Sequence, residues 1–111
     1  MPKARVVYKQ GVSDPEKAHC SIKDAIDVAA EVYGEYVQEM VVTSLNDSKH
    51  RVGSFHYQDK AVDIRTKNLP NRESKRLVQK KIMGRLGKEY DVILEDPDGP
   101  NSHIHIEHDP D

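Results

Sequence analysis

SFHYQDKAVDIR, residues 54–65, decides how the chain is read. Its second half alternates. Val62 and Ile64 take one side, and Asp63 and Arg65 take the other, as in a strand with one buried face. With Thr66 added, a strand is expected over 61–66. Asp63 thus puts a carboxylate inside an apolar run, seven residues after His56. The same division returns at the end of the chain. In HIHIEH, residues 103–108, Ile104 and Ile106 share one face, and His103, His105 and Glu107 share the other. If the two strands belong to one sheet, their ionisable groups collect in one cleft.

The rest of the pattern frames these strands. Val6, Val7 and Tyr8 read as an edge strand, followed by a polar linker around Gly11, Asp14 and Pro15. Ser21 opens a helix, with Asp24 in capping-box spacing. Ile22, Ala25, Ile26, Ala29, Ala30 and Tyr33 form its apolar stripe, and Gly34 is the expected stop. Residues 39–45 (EMVVTSL) are a β-branched strand. Residues 46–60 are loop-like. Pro70 and Asn71 start a second helix, with Leu77, Val78, Ile82 and Leu86 on the core side and Gly87 at its end. Residues 90–95 (YDVILE) form a strand, and a turn-rich loop separates it from the last one. The expected fold is α+β: a small, mostly antiparallel sheet with helices packed on one face. Residues 1–20 are expected as an N-terminal arm and linker that would also serve for docking, and 21–111 as a single domain.

Length and composition narrow the function classes. The chain of 111 residues suits one domain with a modest core. Charged residues make up 32% and the formal net charge is −2, with no run of like charge that reads as a nucleic-acid footprint. The single cysteine, Cys20, excludes an internal disulfide and a multi-cysteine zinc module, and reads as an ordinary thiol. There is no apolar span for a membrane helix, and the N-terminus lacks the apolar centre of a signal peptide. The expectation is synthesis in the cytosol without a membrane partner.

A divalent metal would explain the clustered groups. Zinc takes neutral imidazole and carboxylate oxygen, and three protein ligands with one open position make a catalytic site. His56, Asp63 and one of His103 and His105 supply such a set. Separate surface histidines and a salt-bridged aspartate would give the same spacing, and His-x-His alone is a weak signal.

The stretch SFHYQDKAVD, residues 54–63, resembles the SxHxxGxAxD signature of zinc peptidases of the D-alanyl-D-alanine carboxypeptidase type, whose fold is shared with the hedgehog signalling domain. His103-Ile104-His105 resembles that family's second motif, His-x-His. The wider stretch from Val41 to Thr66, together with YDVILE and HIHIEHDP, is similar to small phage-encoded members. The resemblance spans about residues 25–110 of this chain.

The resemblance implies zinc held by His56, Asp63 and His105, with His103 beside the substrate. His50 stands where some members have a further active-site histidine, though an exposed loop histidine reads equally well. Ser54 belongs to the motif, fixes the loop and joins Arg65 on the substrate side. Arg65 would bind a substrate carboxylate or pair with Glu107. The motif glycine is Asp59 here. The best match for the general base is Glu95, although DPDGPNS separates it from His103. Asp98, or neither residue, is the alternative, and Asp96 and Asp98 read more simply as turn residues. Glu107 is a lesser candidate, with a supporting or ion-pair role. The implied activity is zinc-dependent hydrolysis of an amide bond in peptidoglycan stem peptides, at L-alanyl-D-glutamate or next to D-alanine. It would come from a phage wall hydrolase that is virion-associated or released at host lysis. The alternative is a structural virion component or binding protein that keeps the fold, with virion proteins or further copies of itself as partners.

Overall fold

The computed structural model describes residues 3–12, 20–46 and 61–108. Seven elements follow in order: β1 (Arg5–Tyr8), α1 (Cys20–Tyr33), β2 (Glu39–Asn46), β3 (Ala61–Arg65), α2 (Arg72–Leu86), β4 (Tyr90–Glu95) and β5 (His103–His108). The strands form one sheet in the order β1-β2-β3-β5-β4. Only β1 and β2 run parallel; the other neighbours are antiparallel. The molecule is therefore an α+β domain with a mostly antiparallel sheet.

The two-residue period divides the central strands as expected. Val62, Ile64, Ile104 and Ile106 are buried, while Asp63, Arg65, His103, His105 and Glu107 are only half-buried. Met40, Val42 and Leu45 continue the apolar side on β2, and Val92 does so on β4. These residues share one core with both helices. All six expected stripe residues of α1 are buried, from Ile22 to Tyr33. Each fully buried Ile or Val removes apolar surface worth about 1.5–3 kcal/mol from water.

α1 begins at Cys20, one residue before the expected opening, and Ser21 lies buried within its first turn. At the other end, the buried Tyr33 donates its hydroxyl to the Arg65 carbonyl at 2.9 Å. That bond ties α1 to the end of β3. α2 is capped by Asn71, whose side chain accepts from the Ser74 amide while the Ser74 hydroxyl accepts from the Asn71 amide. It ends at Gly87, whose φ of 86° few other residues adopt without strain. The core stripe of α2 differs from expectation. Leu77 is 41% exposed, and the buried positions are Ser74, Val78 and Ile82, four residues apart. Leu77 falls a 100° step from Val78 and points along the helix flank.

β1 is an edge strand, with Arg5 and Glu39 forming an ion pair across it. Ala4 is part of the core, so the beginning of the chain contributes to the sheet. No helix among the described residues is long and apolar enough to cross a membrane.

Candidate functional site

The polar side of β3, β5 and β4 carries a continuous row of ionisable groups. Antiparallel register sets Asp63 opposite His105, Arg65 opposite His103, and Glu95 opposite His103 on the far side. Residues directly across a ladder have side chains close enough to interact. His105 Nδ1 lies 2.7 Å from Asp63 Oδ1, and its Nε2 lies 3.2 Å from Glu107 Oε1. His103 Nε2 lies 3.1 Å from Glu95 Oε1 and 4.0 Å from Asp63 Oδ1. The row runs Glu107, His105, Asp63, His103, Glu95.

Protons are built into this geometry. Both nitrogens of His105 face carboxylate oxygens, which accept, so the arrangement favours the imidazolium form, in which both nitrogens donate. Burial is the largest single influence on this ring and lowers its pKa. The hydrogen bonds to Asp63 and Glu107, together with their charges, outweigh that influence, and the net shift is upward from the ordinary histidine value. His103 Nδ1 faces the Asn101 carbonyl at 2.7 Å and donates to it. Its other nitrogen, Nε2, faces Glu95.

Glu95 reaches His103 because DPDGPNS is the loop of a hairpin. β4 and β5 pair from Tyr90 with His108 to Glu95 with His103, so the seven intervening residues leave the two groups side by side. Within the loop, Gly99 donates to the Asp96 carbonyl and Ser102 donates to that of Gly99. Asp98 turns toward α2 and sits 3.4 Å from Arg72. It therefore lies away from the histidines. At the base of the loop the buried hydroxyls of Thr66 and Ser102 hydrogen-bond, and the Thr66 amide donates to the Ser102 carbonyl at 3.2 Å. These contacts lock the end of β3 to the start of β5, where His103 begins.

Of the expected metal ligands, the structure brings Asp63 and His105 together. His56 lies outside the described residues, as do Ser54, Asp59 and His50. Among the described residues no group of three or more metal-ligating side chains forms by itself. The two donors present suit a divalent ion. They are a carboxylate oxygen and an imidazole nitrogen, donor types that zinc takes, and they stand at hydrogen-bond distance, 2.7 Å apart, so an ion would have to part them. A niche of about 40 Å³ touches both, bordered by Ser44, Ala61 and Val62. It is large enough for a single water or ion.

Arg65 does not pair with Glu107, which faces His105 instead. Arg65 lines an open groove of about 460 Å³ that also touches Lys9, Lys67, Asp63 and His103. The lysines were not singled out in the sequence. Each stands just past a strand, where alternation gives no guide to direction. Comparison with protein-family models, curated proteins and solved structures finds no match to this chain.

Proposed function

We propose that the chain is a zinc-dependent amide hydrolase of peptidoglycan stem peptides, of the D-alanyl-D-alanine carboxypeptidase and hedgehog-fold type. The observation that carries this reading is the facing of Asp63 and His105, with His103 and Glu95 next to them on one open face. The motif spacing from Ser54 to Asp63 adds His56 to the same set.

His56, Asp63 and His105 would hold the ion. When bound, zinc supplies Lewis-acid polarisation of the scissile carbonyl and makes water a competent nucleophile at neutral pH. The protein's own groups do the rest. Glu95 accepts the proton of the attacking water and delivers it to the leaving amine. It lies 3.1 Å from His103 Nε2. The His103 ring is fixed by its Nδ1 donation to Asn101, so its Nε2 edge faces the reacting centre and can stabilise developing negative charge. His50 remains a second candidate donor. Ser54 and Arg65 belong to the substrate side. Lysis of a host wall, from a virion or from within the host, is the setting this activity fits.

The test is hydrolysis of defined muropeptides by the zinc-loaded chain. Wild type should cleave either the L-alanyl-D-glutamate bond or a bond next to D-alanine. Glu95→Gln should keep its zinc and lose about 10²–10⁴ in rate, the usual contribution of a general base. A wild type that binds zinc and cleaves neither bond would favour the structural or binding alternative.

A further inference from the structure

α2 concentrates positive charge on a chain that is acidic overall. Arg72, Lys75, Arg76, Lys80, Lys81 and Arg85 stand against one acidic residue, Glu73. Six cations and one anion give the helix a net charge of +5, so the chain total of −2 leaves −7 on all other residues. The helical period spreads these cations, so they form no run in the sequence. Lys80 falls about 160° from both Val78 and Ile82, the buried side, and points straight away from the core. Arg72, Arg76 and Lys80 are four residues apart and line up along that outward face. Arg72 reaches Asp98 at the start of the row, and on one flank Lys81 reaches Glu35 and Arg85 reaches Glu31. Among the described residues Arg76 and Lys80 have no acidic partner. Leu77 and Met83 fall about 60° to either side of Lys80. They are 41% and 42% exposed, so apolar surface lies among the cations.

We infer that the outward face of α2 docks on an anionic lipid bilayer, with Arg76 and Lys80 against the phosphate headgroups and Leu77 and Met83 at the acyl boundary. Charge complementarity calls for an anionic partner. The two apolar side chains choose a bilayer over a soluble polyanion, because a bilayer offers them an apolar layer to enter and a hydrated polyanion does not. The contact is a surface one and needs no membrane-spanning helix. The sheet sets its orientation. α2 packs on the apolar side of the sheet through Val78 and Ile82, and Gln79 donates to the Val92 carbonyl at 2.9 Å. Glu95, His103 and His105 lie on the opposite side. A chain held by α2 therefore turns its candidate site away from the bilayer. Docking of this kind does not depend on the hydrolase reading.

Binding is measured by co-sedimentation of the full-length chain with vesicles. The probes are phosphatidylcholine vesicles, vesicles in which about one-third of the lipid is phosphatidylglycerol, and a short DNA duplex. Wild type should bind the anionic vesicles at least about tenfold more tightly than the neutral ones, and the difference should shrink as salt rises. Arg76→Gln with Lys80→Gln should weaken that binding about tenfold or more, since each basic residue near the surface is worth roughly fivefold. Leu77→Ser with Met83→Ser should weaken it about threefold or more. Lys9→Gln with Lys67→Gln removes the same charge from the groove beside His103, on the other side of the sheet, and should change it less than about twofold. All six side chains are exposed, and circular dichroism with thermal unfolding checks that each variant folds. Equal binding to both kinds of vesicle, or equal losses from the two charge-removing pairs, would overturn the inference. An apolar variant that binds vesicles as tightly as wild type, with duplex binding that Arg76→Gln and Lys80→Gln abolish, would overturn it in favour of a nucleic-acid partner.

Discussion

His105 and Asp63 are 42 residues apart in the chain and 2.7 Å apart across the β3–β5 ladder. Glu107 holds the other edge of the same ring. The two carboxylates raise the pKa of the ring against the effect of burial. Two strands with opposite faces of opposite character are enough to build this arrangement. One face anchors the ladder in the core, and the other aligns the charges.

The first prediction is a pH dependence of stability in chelator. The folded His105 pKa lies above its unfolded value of about 6.5. Its contribution is therefore complete below that value and is lost as pH rises through the folded pKa. Wild type should exceed His105→Gln by about 1 kcal/mol at acidic pH, since the partly exposed pair is screened by solvent. Urea unfolding between pH 5 and 9 reads the difference. A gap that widens with rising pH would contradict the imidazolium assignment.

Tyr33→Phe removes the donor to the Arg65 carbonyl without changing the apolar volume. Tyr33 is fully buried, so the carbonyl loses its partner in a place water reaches poorly. Stability should fall by about 1–2 kcal/mol. Thermal unfolding of the variant and wild type reads the loss. No loss would show that packing alone fixes the end of β3.

Ile82→Ala should destabilise the chain by about 2–5 kcal/mol, whereas Leu77→Ala should change stability by less than about 0.5 kcal/mol. The contrast follows from burial: Ile82 is 0% exposed and Leu77 41%. Equal losses in denaturant unfolding would restore Leu77 to the core.

Leu77 also shows where sequence reading reached its limit. On α1 every expected stripe residue is buried, and Val32, outside the expected stripe, is buried as well. On α2 the stripe begins with Ser74, a polar residue whose hydroxyl is absorbed by the capping box and which can therefore be buried. A hydrophobicity pattern does not register it, and Leu77 took its place in the expected face. The parallel pairing of β1 with β2 had no local signal, because a four-residue strand carries too little alternation to show its partner.

The site was legible in proportion to its regularity. Asp63, Arg65, His103, His105 and Glu107 all follow from a two-residue period. The partnership of Glu95 with His103 was obscured by seven intervening residues, because register depends on where a hairpin closes and not on how long its loop is. Lys9 and Lys67 lie outside the strands and were invisible to the same logic.

The central claim is that His56, Asp63 and His105 share one ion. Its most direct test is zinc content by mass spectrometry after zinc loading and extensive dialysis, for wild type and for His56→Ala, Asp63→Asn and His105→Ala. The account predicts about one zinc per wild-type chain and a loss of at least tenfold in retained metal for each variant. Zinc should also leave wild type as pH falls, because protons return to His105. A wild type that retains no zinc, or variants that retain as much as wild type does, would contradict it.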